Sequence, residues 1–231
     1  MVHHDLAEAV TTQFGGFLFC YTDGMEKRQV FYIHGGEPFV SREAYLENLR
    51  TAKLWDPHGI VRKKWSATFR EDVGEDFEIF TPQMPNKQNA DYTEWKIWFE
   101  RHVEFLRDGV ILFGWSLGGM FLMKYLAENT LPVRVKYFIC MAAPFADGLL
   151  EEGGGKSTAS FGTDINLLKN ISEQTKNITI MHSTDDFVVP YEHALKYKAA
   201  LPEAELVTFE DKNHFLVEDL PELIERIKAL K

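Results

Sequence analysis

Val110-Ile111-Leu112-Phe113-Gly114-Trp115-Ser116-Leu117-Gly118-Gly119 joins an apolar run to a segment of helical character through Gly-x-Ser-x-Gly. That order predicts a sharp strand-to-helix turn that lifts one serine to the rim of a sheet. Glycine at 114 and 118 removes the Cβ atoms that would collide with neighbouring backbone in so tight a turn. The helix that follows directs its N-terminus, with its unpaired backbone N–H groups, toward the serine. Chance alone would supply the five-residue pattern in roughly one chain in fifteen of this length. Its position between a strand and a helix is what gives it weight.

Outward from this turn, short apolar, β-branched or aromatic runs recur at Val30–Ile33, Phe77–Phe80, Val110–Phe113, Val135–Met141, Ile178–Met181 and Leu206–Phe209. Most are continuously apolar, as expected of parallel strands covered on both faces. The segments between them have helical periodicity. Asp91 is a good N-cap with Glu94 three residues on, and Trp95, Trp98, Phe99, His102 and Leu106 then share one face. Arg62 to Val73 reads as a helix closed by Gly74. Leu220 to Leu230 reads as another, with Pro221 in its first turn and Leu223, Ile224, Ile227 and Leu230 on one side. The alternation predicts an α/β fold, a doubly wound, mostly parallel sheet with helices on both faces. An extra strand is expected near Phe17–Tyr21, and two stretches exceed the minimal alternation. One is 37–60, with a helix expected from Ser41 to Trp55. The other, 145–169, is glycine-rich, leaves the sheet after Pro144 and is expected to form a small lid over a site.

The 231 residues suit a single domain. Twenty-five basic against 35 acidic residues give a net charge of −10, which argues against nucleic acid or an anionic membrane surface as the main partner. No apolar run approaches the ~20 residues of a membrane span. Met1 to Thr12 is polar and holds Asp5 and Glu8, unlike a secretory signal, so a cytoplasmic location is expected. Cys20 and Cys140 sit in apolar runs and read as small buried hydrophobes in a reducing compartment. The chain does not specify an oligomeric state.

A serine needs a base to take its proton and a third group to orient that base. In a doubly wound sheet all three must lie at the carboxyl ends of strands. His214 qualifies, because it follows the last strand across a polar loop. The acid is expected in His182-Ser183-Thr184-Asp185-Asp186-Phe187-Val188-Val189-Pro190, where two adjacent aspartates compete. One would hold the imidazole tautomer, and the other would cap a helix or face water.

With the chain order serine, aspartate, histidine, the sequence resembles the α/β-hydrolases, close to the small, compact serine hydrolases of the esterase branch. The likeness rests on His34-Gly35-Gly36, Gly114-Trp115-Ser116-Leu117-Gly118, His182 through Pro190, and Asn213-His214-Phe215, and spans roughly residues 28–230. That family usually reads His-Gly-x-x-Asp-x-x-Val-Pro where this chain has His182–Pro190. The resemblance therefore places the acid on Asp186 rather than Asp185, with Ser183 in place of the glycine. Donors for a developing oxyanion are expected from the backbone N–H of Leu117 and from the loop after Val30–Ile33. For the second donor the family pattern points to Gly36 ahead of Glu37. Trp115, Gly35 and Glu37 are the expected substrate-binding residues, and His34 is expected to pack and hydrogen-bond rather than act as a second base.

Gly153-Gly154-Gly155-Lys156-Ser157-Thr158 imitates a phosphate loop, but the first glycine that motif requires would fall at Leu150. Metal-ligand spacing is absent as well. The expected activity is hydrolysis of a carboxylic ester or related small acyl substrate through an acyl-enzyme, without a cofactor. Amide or peptide cleavage, and a non-catalytic binding protein that keeps the fold, are the alternatives.

Overall fold

In a computed structural model the described residues are 26–54, 58 and 63–230. The strand expected at Phe17–Tyr21, together with Cys20, lies outside them. The element order is β1 (Arg28–Ile33), α1 (Arg42–Thr51), α2 (Trp65–Val73), β2 (Phe77–Phe80), α3 (Tyr92–Glu100), β3 (Val110–Trp115), α4 (Leu117–Glu128) and β4 (Val135–Met141). There follow β5 (Glu151–Glu152), β6 (Lys156–Ser157), α5 (Ile171–Gln174), β7 (Ile178–Ser183), α6 (Glu192–Ala200), β8 (Glu205–Phe209) and α7 (Pro221–Ala229). Six strands form one sheet in the order β2-β1-β3-β4-β7-β8, and every neighbouring pair is parallel. Strands β5 and β6 make a separate antiparallel hairpin.

The continuous apolar runs follow from this layering. Successive side chains of a strand point to opposite faces, and here both faces are covered. Phe31 and Ile33 of β1 and Val110 and Leu112 of β3 pack with Trp95, Phe99 and Phe121 on one side. Val30, Tyr32, Ile111 and Phe113 pack with Trp65, Phe69, Leu223 and Ile227 of α2 and α7 on the other. Edge strand β8 is only half-buried, and its Glu205 and Thr208 are exposed.

Local chemistry sets the helix ends. Asp91 Oδ1 accepts from the N–H groups of Thr93 and Glu94 at 2.8 and 3.1 Å and so starts α3. That helix stops at Glu100, earlier than the apolar face implied. His102 Nδ1 binds the carbonyl of Trp98 at 2.7 Å, and a 3-10 turn over Val103–Phe105 follows. Leu106 is nonetheless buried. Ser41 caps α1 through Ala44 N at 3.1 Å, and that helix ends at Thr51, with Trp55 outside the described residues. Helix α2 begins at Trp65 and closes on Gly74 at φ 92°.

The chain runs from β1 outward to β2 and then crosses back to β3, so connections leave β1 and β3 in opposite directions. Such a reversal opens a crevice at the strands' carboxyl ends. Here it lies between the Gly35-Gly36 loop and Ser116. Among the described residues no helix is long and apolar enough to cross a membrane.

Candidate active site

Ser116 sits between β3 and α4 at φ 56°, ψ −126°. A non-glycine residue held there costs about 1–3 kcal/mol, which the surroundings must supply. They do so through close backbone packing. A Cβ on Gly114 would come within 2.5 Å of Gly118 O and Gly119 Cα, and one on Gly118 would overlap the carbonyl oxygens of Ile33 and His34. The first turn of α4 is therefore wedged against β1 and β3. Ser116 N donates to Met141 O at 2.8 Å, and Gly119 N donates to Ser116 O at 2.9 Å.

His214 lies on the loop between β8 and α7 and is buried. Its Nε2 is 2.9 Å from Ser116 Oγ, and its Nδ1 is 2.8 Å from Asp186 Oδ2. The Asp186 carboxylate only accepts, so Nδ1 carries the proton and Nε2 is free to accept from the serine hydroxyl. Asp186 Oδ1 accepts from the N–H groups of Val188 and Val189, both at 2.8 Å. Burial pushes the Asp186 pKa up. The donors His182 and His214, with Val189 N–H, outweigh it and hold the carboxyl well below the ordinary carboxylate range.

The two aspartates differ in their partners. Asp185 Oδ1 accepts from Asn213 N at 2.9 Å and from Ser183 Oγ at 2.5 Å. Ser183 Oγ in turn accepts from Lys212 N at 3.1 Å. Asp185 thus fastens the loop that carries His214, while Asp186 touches the imidazole itself. The serine at 183 supplies a cross-link between β7 and that loop that a glycine could not.

Sequence reasoning placed His182 at a strand end and gave it no role of its own. It is buried at the end of β7, with Nε2 2.9 Å from Val189 O and 3.2 Å from Asp186 Oδ2. Both neighbours are acceptors, so Nε2 bears hydrogen, and Asp186 Oδ2 lies between two imidazoles. The i, i+4 spacing from His182 to Asp186 was visible in the sequence. The turn that folds one onto the other was not.

Across the crevice, His34 accepts the N–H of Met84 on Nε2 at 2.9 Å and directs Nδ1 to Gly35 O at 2.6 Å. Both of its ring nitrogens are thus engaged by backbone, and burial lowers its pKa. A Cβ on Gly35 would lie 3.1 Å from Ser116 Cβ, and one on Gly36 would lie 2.9 Å from the Trp95 ring. Glu37 N is committed to Lys87 O at 2.7 Å, which removes it as a donor to anything else. The N–H groups of Gly36 and Leu117 have no hydrogen-bond partner among the described residues. Glu37 carries its carboxylate to Lys156 at 3.2 Å. Trp115 lines the crevice, and its Nε1 donates to His214 O at 3.2 Å, beside Trp65 Nε1 donating to Phe215 O at 2.9 Å.

Ser116 and His214 open into a cavity of about 750 Å³. Gly35, Gly36, Glu37, Trp115 and Leu117 all line it, as do Lys156 and Thr158 from the 145–169 segment. That segment is stitched to the loop after β1 through Val40 N to Gly155 O at 3.0 Å and Ser157 N to Pro38 O at 3.1 Å. Its start is pinned by Phe145 N donating to His193 Nδ1 at 2.8 Å.

No protein-family model matches the chain, and no curated protein matches it significantly. Solved structures do. The ydeN gene product of B. subtilis superposes with a TM-score of 0.62 at 18% identity, covering 88% of this chain and 98% of that one. The chain has the α/β-hydrolase fold. An esterase domain from a Rhodothermus marinus protein gives 0.59 at 16% identity over 96% of each chain. The thioesterase domain from the curacin biosynthetic pathway gives 0.55 at 13% identity, covering 95% of this chain and 98% of that one. At such identities the likeness carries the architecture alone. In α/β-hydrolase terms, Ser116 stands at the strand-to-helix elbow, with Asp186 and His214 on the loops after β7 and β8.

Proposed function

We propose that this chain is a serine hydrolase that cleaves a carboxylic ester or related small acyl substrate through an acyl-enzyme. The observation that carries the proposal is the unbroken relay from Ser116 Oγ through His214 to Asp186, with steps of 2.9 and 2.8 Å, at the edge of an open cavity. The esterase and thioesterase neighbours agree with it.

Ser116 Oγ attacks the carbonyl carbon as its proton passes to His214 Nε2. The carbonyl oxygen becomes an oxyanion and receives the free N–H groups of Gly36 and Leu117. Asp186 holds the imidazole in register and stabilises the imidazolium. Collapse of the tetrahedral adduct breaks the bond to the leaving oxygen, which takes the proton back from His214. A water then gives a proton to the same nitrogen and attacks the acyl carbon. Expulsion of Ser116 Oγ, reprotonated by His214, releases the acid. Trp115 and Gly35 form the wall beside the nucleophile, and 145–169 is a small lid. Glu37 contributes by holding Lys156 of that lid, its carboxylate being neutralised there.

The test is labelling of the purified protein with a fluorophosphonate, together with turnover of p-nitrophenyl acetate. Adduct formation on Ser116, and loss of turnover in Ser116→Ala, are expected. Absence of labelling with turnover unchanged in the variant would falsify the mechanism.

A further inference from the structure

The cavity beside Ser116 has a charge opposite to that of the rest of the molecule. Among the described residues its charged lining is Lys64, Arg70, Lys87, Lys156 and a single acid, Glu37. The chain carries 25 basic residues to 35 acidic ones, so five charged groups drawn by composition would include about two cations rather than four. Glu37 is itself neutralised by Lys156 at 3.2 Å. Lys64, the N-cap of α2, Arg70 on α2 and Lys87 on the turn after β2 have no ion-pair partner among the described residues.

These three cations come from two segments, α2 with its N-cap and the turn after β2, and both line this opening. They are exposed, so neither packing nor hydrogen bonding requires them there. Like charges gathered on one opening are held at a cost, and a protein of net charge −10 has ample acid with which to pair them. Among the described residues they stand unpaired at the mouth of the cavity that holds Ser116 and the two unpartnered N–H groups. The positive charge of Lys87 contributes, after burial, to lowering the pKa of His34, so its field reaches the loop beside Ser116.

We propose that the acyl substrate carries a negative charge of its own, a carboxylate or phosphate group remote from the scissile carbonyl, received by Lys64, Arg70 and Lys87. The inference rests on the hydrolase reading and narrows its substrate class. A walled, locally cationic cleft in an otherwise anionic protein concentrates anions and repels neither their approach nor their docking. Arg70 offers a planar fork to either anion, and the two lysines offer point charges on flexible stems.

Two matched substrate pairs separate the sources of charge. The first sets the 4-nitrophenyl monoester of glutaric acid against 4-nitrophenyl valerate, which has the same acyl length without the carboxylate. The second sets the acetyl thioester of phosphopantetheine against that of pantetheine. In at least one pair the charged member is expected to have kcat/KM about tenfold higher, with the ratio shrinking as ionic strength rises. The ratio should also collapse toward one in the triple variant K64Q/R70Q/K87Q. Equal kcat/KM within both pairs, or a ratio indifferent to salt and to the substitutions, would overturn the inference while leaving the hydrolase reading intact. Absence of turnover with all four compounds would count against the hydrolase reading instead. Calorimetry with glutarate and inorganic phosphate then decides the anion site separately. Binding that the triple variant loses supports it, and no binding to the unaltered protein refutes it.

Discussion

Replacing Asp186 with asparagine is the sharpest perturbation of the relay, because the hydrogen-bond inventory leaves the new amide little choice. Oδ1 takes two backbone N–H groups, from Val188 and Val189, each at 2.8 Å. Oδ2 faces His214 Nδ1 at 2.8 Å and His182 Nε2 at 3.2 Å. Turning the amide so that its oxygen faces His214 would set NH2 against both backbone N–H groups. Each loss in that buried place costs about 1–3 kcal/mol. The cheaper arrangement keeps the oxygen on the backbone and points NH2 at His214 Nδ1. His214 must then move its proton to Nε2, where it can no longer accept from Ser116. His182 keeps Val189 O as its acceptor at 2.9 Å, so it does not oppose this outcome. The expected loss for a relay histidine in the wrong tautomer is about 10⁴-fold in kcat, or about 5.5 kcal/mol of transition-state stabilisation. Asp185→Asn is the control. Its Oδ1 can still accept from Asn213 N and Ser183 Oγ, so kcat should change only a few-fold. Steady-state kcat with p-nitrophenyl acetate, on variants whose circular dichroism matches the parent, decides the matter. Little loss in Asp186→Asn, or a larger loss in Asp185→Asn, would refute the assignment.

Three further outcomes are expected. In His182→Ala the buried Val189 carbonyl and Asp186 Oδ2 each lose a donor, so stability to urea should fall by about 1–3 kcal/mol. The same variant should lose less kcat than Asp186→Asn, with partial recovery in His182→Gln, and a stability unchanged in both variants would count against the contact. In Gly36→Ala the new Cβ would lie 2.9 Å from Trp95 Cζ2 and 3.0 Å from Lys87 O, which pushes the loop off its position. Withdrawal of one oxyanion donor should lower kcat about 10²-fold, and wild-type kcat in a folded variant would show that Gly36 N–H plays no part. Stability should fall in two steps on acidification. His34 and His193 have pKa values lowered by burial, with Lys87 and Lys196 adding to the effect. The unfolded chain therefore takes up more protons, and their contribution is whole above pH about 6.5 and declines below it. The Asp186 pKa is held down against the effect of burial by its donors, so its contribution is present above pH about 4 and is lost as pH falls further. Urea midpoints from pH 8 to pH 3 check this, and a flat profile between pH 7 and pH 5 would contradict the first step.

Much of this molecule was legible in the sequence where the interaction is local or periodic. Strands β2 and β4 lie where the apolar runs are, and Asp91, Gly74 and Pro221 mark helix ends by chemistry within four residues. The Asp186 choice came from resemblance, since the bonds that distinguish the two, Asp185 to Asn213 and Asp186 to His214, join residues 28 apart. Helix α3 was overrun because an apolar face continues through Leu106 after the helix itself has ended. Burial follows the face, whereas the helix ends where His102 takes the Trp98 carbonyl. What stayed hidden is long-range pairing of side chains with backbone. Trp65 Nε1 meets a carbonyl 150 residues away, and Ser183 Oγ meets an amide 29 residues away. The cationic mouth was hidden for the same reason, since residues 64, 70, 87 and 156 share nothing in sequence beyond charge.

The strained backbone around the relay explains why those long-range bonds lie where they do. Ser116, Asn213 and Phe215 all have positive φ, at 56°, 51° and 54°. For a residue as bulky as phenylalanine this costs about 1–3 kcal/mol, and no glycine relieves it. The Phe215 ring is fully buried and meets Phe209 edge-on at 5.4 Å. Burial of that ring returns about 1.5–3 kcal/mol, comparable to the strain. Trp65 and Trp115 then fix the carbonyls of Phe215 and His214, while Asp185 and Ser183 fix the N–H groups of Asn213 and Lys212. The loop that carries His214 is thus gripped from β3, α2 and β7 at once. Helix α2 has two duties in this arrangement. Its buried first residue, Trp65, steadies the loop that carries His214, and Lys64 and Arg70 beside it supply charge to the cavity mouth. An anion drawn to α2 therefore docks on the same helix that holds His214 against Ser116.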